Sequence, residues 1–206
     1  MGMIETITLR DSWDIERRLS ELQLGPRYRL LEVAKVALSA GRDATLFHPA
    51  NAAGTFSYQH GTWALREEFV NDSDWRLDRP NGVEVIRDDE LKVMVAFANV
   101  DVACDDDLKP KPRSRKGAGA ERVCVGNLFG TLPEYAPRQP GGWATYYLMV
   151  DEKGAVEFTR PVISNGTFTA WIERLYLSIG GDLDREPILE DDGDMADDFD
   201  PKVIRK

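Results

Sequence analysis

Five cations fall within eight residues at Lys109, Lys111, Arg113, Arg115 and Lys116, with Arg122 following shortly after. Pro110 and Pro112 space them, and Gly117 and Gly119 come next. Prolines hold a chain extended, so alternate side chains can track a line of phosphates, and glycines let backbone amides come close to an anion. These residue types in this order predict a contact loop for a polyanion or phosphate. A mobile, solvated connection is the competing reading, because charge runs also serve solubility alone. Gly117-Ala118-Gly119 is not a dinucleotide fingerprint, since a basic stretch precedes it and the third glycine is missing.

A second charged segment has the opposite sign. Residues 182–200 hold ten acidic side chains against Arg185 alone. Counting on to Lys206 gives ten acidic and four basic residues, a net charge of −6 out of −10 for the whole chain. Asp191, Asp192, Asp194, Asp197, Asp198 and Asp200 surround Phe199, with Met195 close by. Carboxylates that steer an encounter, plus an apolar anchor to fill a pocket, suit a basic protein partner such as a nucleic-acid-binding protein. A purely solubilising tail is the alternative, and a third reading folds the tail back onto the basic loop. The calcium-loop pattern is absent.

A third constellation lies at the head of a strand-like run. Asp88, Asp89 and Glu90 precede Leu91 and Lys92, with Asp74 and Asp78 upstream. An acid-x-Lys with upstream carboxylates could hold Mg²⁺ and orient a water nucleophile. Over these few residues the pattern resembles the PD-(D/E)xK nucleases, which implies a metal-dependent, phosphate-directed enzyme as the alternative function. The same residues also read as a hairpin turn. His48, His60, Cys104 and Cys124 match no compact zinc spacing, and no nucleophile elbow or catalytic-cysteine motif occurs. No cofactor or metal is therefore expected.

The elements that must carry these residues read as an α+β domain over 1–181, helical over 1–76 and sheet-rich over 77–181, followed by the flexible acidic tail 182–206. Ser12 is placed to cap a helix with Ile15, Leu19 and Leu22 on one face. Pro26 opens a second, with Tyr28, Leu31, Ala34 and Leu38 at helical spacing and Gly41 as the stop. Residues 42–61 read as a long connection, and Thr62 opens a third helix. Hairpins are predicted near 83–104 and 143–163, giving an antiparallel-rich sheet. Residues 91–104 carry apolar side chains on both faces, which implies a central strand covered twice. A last helix is read over Phe168, Trp171, Ile172, Leu175 and Ile179, making three to four helices in all. Asn165-Gly166-Thr167 reads as a glycosylation acceptor sequence. Trp75 and Trp143, beside turns, are the tryptophans expected at the surface.

No apolar run reaches the length of a membrane span, and the start of the chain lacks the features of a signal peptide. With two cysteines in apolar contexts, the expected setting is the reducing cytoplasm. Together these features predict a non-enzymatic binding protein acting around nucleic-acid machinery, such as an accessory or inhibitor of a phage or other mobile element.

Overall fold

A computed structural model describes residues 6–71, 73–124 and 142–181 of the chain. Its described residues form an α+β domain of four helices and a seven-stranded mixed sheet. In chain order these are β1 (Ile7–Leu9), α1 (Ser12–Glu21), α2 (Arg27–Arg42), α3 (Ala52–Val70), β2 (Arg76–Asp78), β3 (Val85–Asp88), β4 (Val93–Asn99), α4 (Ala118–Val123), β5 (Ala144–Val150), β6 (Ala155–Ser164) and β7 (Thr167–Ile179). The strand order is β1-β7-β6-β5-β4-β3-β2. Four neighbouring pairs are antiparallel, whereas β4–β5 and β1–β7 are parallel. The sheet is thus antiparallel-rich but mixed, because the chain leaves β4, forms α4 on one face, and re-enters beside β4 as the parallel strand β5.

Alternation along β4 and β5 divides the core. Val93, Val95, Phe97, Tyr146 and Leu148 point into the layer made with α1, α2 and α3. Met94, Ala96, Ala98, Tyr147 and Met149 point the other way, toward α4 and Phe168. β4 is therefore covered on both faces, as its two apolar stripes predict.

Several local readings need correction. Asp11, not Ser12, caps α1, its carboxylate accepting from the N–H groups of Trp13 and Asp14. The buried face of α2 is Leu30, Val33, Ala34 and Ala37, while Tyr28 is exposed. Helix α3 begins at Ala52, so half of the expected 42–61 connection is helical. Gly54 and Gly61 mask that start by their low helical propensity. The turn expected at 87–90 falls at 89–92, since β3 runs on to Asp88. Trp75 is core, its indole N–H donating to Gln23 at 3.0 Å, and the exposed tryptophans are Trp13 and Trp63.

The largest correction concerns 167–179, a strand rather than a helix. Asn165 (φ 56°) and Gly166 (φ 79°) both adopt the left-handed region. That is the two-residue hairpin turn favoured by Asn-Gly, and it directs Thr167 back along Ser164. β7 is covered on both faces, Phe168 packing toward α4 and Leu175 toward α1–α3, so its apolar residues fall at helical spacing without sharing one face, and Ile179 is exposed.

Gly61 has a packing role. A Cβ there would meet three Phe97 ring atoms at 2.5–2.7 Å, and Phe97 is buried in the core. Gly61→Ala is expected to lose about 1–2 kcal/mol, overpacking outweighing a helix-propensity gain of at most about 1 kcal/mol. Urea midpoints of G61A alone and combined with Phe97→Leu check this, the second change restoring most of the loss.

Candidate ligand cleft at the basic segment

The basic segment is not the pliable loop the composition suggests. Beyond β4, residues 110–113 resume pairing along the same strand edge. Asn99 accepts from the Arg113 N–H at 3.0 Å, Lys111 accepts from the Asp101 N–H at 3.1 Å, and Val100 bridges Pro112. The Lys116 N–H then donates to Gly166 at 2.9 Å, and Glu121 accepts from the Gly166 N–H at 3.0 Å. The β6–β7 turn therefore clasps the segment at its far end. Prolines that hold a free chain extended here fit it to an edge.

The base of the segment is fixed by a buried charge network. Arg174 and Glu157 are almost wholly enclosed and form two bonds of 2.7 Å. Glu157 also accepts from the Cys104 N–H at 2.9 Å, and Arg174 donates to the Asp105 carbonyl at 3.0 Å. Cys104, with φ 55°, lies in this loop and not in a strand. Its thiol donates to the carbonyl of Val156 at 3.0 Å. Cys124 follows α4, and both thiols are free. Burial pushes each up to about 12.

β3 stops at Val85, opposite Ala96, while the 110–113 segment rejoins the edge only at Asn99. The gap at Phe97 opens into a cleft of about 750 Å³. One wall is the first half of α3 with Tyr58, the opposite wall is the 3₁₀ turn Pro80–Gly82, and 113–120 closes over the top. Asn99 secures one wall, donating to Gly54 at 2.8 Å and accepting from Ser57 at 2.9 Å. Gly119 lets α4 approach the other wall, since a Cβ there would run into the Asn81 carbonyl.

Of the six predicted polyanion residues, Arg113, Arg115 and Lys116 line this cleft. Arg113 is exposed and pairs with Glu152. Arg115 is exposed and lies over the Gly166 turn. Arg122 braces a wall, its Nε donating to Asn81 at 3.1 Å. Lys109, 5.6 Å from the Trp171 ring, and Lys111 are exposed and do not line the cleft.

Lys116 differs from the others. Its ammonium sits 5.0 Å from the Tyr147 ring centre and 5.8 Å from that of Phe168. Desolvation pulls it down to about 8, and among the described residues no carboxylate offsets this. Among the described residues the buried Tyr147 hydroxyl finds no hydrogen-bond partner of good geometry. Cys124 adjoins both groups, its thiol near enough to the Tyr147 hydroxyl for each to shift the other. Burial holds Tyr147 well above the ordinary tyrosine range. Nothing in the sequence singles out Tyr147 or the setting of its hydroxyl.

No family model, curated protein or solved structure matches this chain. The cleft must therefore be read from its own chemistry.

The nuclease-like set is not assembled. Asp88 is buried as a turn organiser, one oxygen accepting from the N–H groups of Glu90 and Leu91 at 2.8 Å. Asp89 lies beside Arg87 and Arg76, Glu90 is exposed, and the Lys92 ammonium rests 5.0 Å from the Trp143 ring. Asp78 is taken by Arg87 at 2.7 Å. Among the described residues, no three His, Cys, Asp or Glu side chains converge on a metal position. The tail residues Asp191, Asp192, Asp194, Asp197, Asp198, Phe199 and Asp200 lie outside the described residues. No helix among the described residues is long and apolar enough to cross a membrane.

Proposed function

We propose that this chain is a non-enzymatic binding protein of nucleic-acid machinery, which receives phosphate groups in the cleft under residues 113–120. One observation carries the reading. A single anchored segment delivers Arg113, Arg115 and Lys116 to the same cleft. Charges held on a fixed backbone lose less conformational freedom on binding than charges on a free loop. Two free thiols suit a cytoplasmic setting. The acidic segment 182–206 serves as the hook for a basic protein partner, as in an accessory or inhibitor of a mobile element.

The test is binding of a labelled single-stranded oligonucleotide across a salt series. Replacing Arg113, Arg115 and Lys116 together by Ala is expected to weaken binding and to flatten the slope of log affinity against log salt by about 2. Removing residues 182–206, with their net charge of −6, is expected to tighten binding several-fold at low salt. An unchanged slope in the triple variant overturns the assignment.

A further inference from the structure

We infer that the floor of the cleft is a seat for one terminal phosphomonoester, gripped by the Lys116 ammonium and the Tyr147 hydroxyl. This rests on the reading above and narrows it, from a strand lying along the rim to a chain end or a mononucleotide reaching inward. Depth separates the cations. Arg113 and Arg115 are exposed at the rim, whereas Lys116 is drawn inward onto two rings of the sheet face. The floor beneath it is β5 and its neighbours, so a polymer cannot continue past that point. Only a group that ends there fits.

The donors match that group. An ammonium offers three N–H bonds and a phenol one O–H, and a terminal phosphate presents three strongly accepting oxygens. Among the described residues, a half-buried ammonium facing no carboxylate and a buried hydroxyl with no well-placed partner are each costly to keep, and one anion satisfies both. Behind the phosphate, about 750 Å³ of cleft is room for a nucleoside.

Binding such an anion favours protonated Lys116, so affinity falls as pH rises through about 8. Around it, Tyr147 and Cys124 are held neutral by burial, Arg113 pairs with Glu152, Glu84 pairs with Arg66 and Arg79, and Arg115 lies over the Gly166 turn.

The test compares strands of about ten nucleotides, with and without a 5′-phosphate, together with a free nucleoside 5′-monophosphate and its nucleoside. The phosphorylated strand is expected to bind at least about tenfold tighter near pH 7. Lys116→Met should abolish that preference, Tyr147→Phe should reduce it several-fold, and raising the pH from about 7 to 9 should erode it. Equal affinity for the two strands removes the seat and leaves the polyanion reading standing. Binding of the free monophosphate, but of neither strand, supports the seat and removes the polyanion reading. If no phosphate compound binds, both fall.

Discussion

Replacing Glu157 by Gln is expected to destabilise the protein by about 3–5 kcal/mol. The substitution keeps the side chain's size but strands the Arg174 guanidinium, 1% exposed, without a counter-charge. It also disturbs a shared acceptor, since Glu157 takes bonds from Thr159 and from the Cys104 N–H. The readout is the urea or thermal midpoint. A double change to Glu157→Met and Arg174→Met leaves no isolated charge and should lose clearly less than the two single changes summed. If E157Q unfolds at the wild-type midpoint, the pair does not anchor the base of the basic segment.

Lys116→Met is expected to act in the opposite direction, raising stability near pH 7 by about 2–3 kcal/mol. The folded amine sits at about 8 against 10.5 for the free side chain. Folding must therefore hold a proton that burial disfavours. Below about pH 8 the full penalty applies. Between about 8 and 10.5 the unfolded chain binds more protons than the folded one, so the penalty shrinks as pH rises. The gap between the two proteins should accordingly narrow across that window. Both proteins should also lose stability above about pH 8.5. Cys104 and Cys124 are held to about 12, and the unfolded chain releases their protons first. Only the difference between wild type and K116M isolates the lysine. A residue whose removal stabilises the fold while abolishing phosphate preference would mark a binding group retained at a stability cost. Equal midpoints for the two proteins near pH 7 would show that the amine is solvated.

Legibility followed the range of the interactions. The central strands were readable because their signals are local: β4 carries an apolar stripe on each face in the sequence itself, and β5 and β6 read as the hairpin near 143–163. β7 was not, because the Asn165-Gly166 turn that makes it a strand lies within an acceptor sequence, and a strand covered on both faces carries apolar residues at helical spacing too. Helix α3 was half hidden because Gly61 weakens the helical signal for the sake of Phe97, a residue 36 positions away. At the cleft, the cations were legible as a charge run. Which of them turn inward was not, since that depends on the Gly166 clasp and the gap at Phe97. Tyr147 could be placed only as one apolar position among many.

The parallel pairing of β1 with β7 carries a consequence for how the chain comes to be folded. Ile7–Leu9 borders Glu173–Leu175 at one edge of the sheet, so nearly the first described residues wait for nearly the last. During synthesis from the N-terminus, α1, α2 and α3 emerge with their shared apolar side uncovered until β5, β6 and β7 arrive. Such late, long-range closure slows folding and lengthens the interval in which a nascent chain is exposed to aggregation.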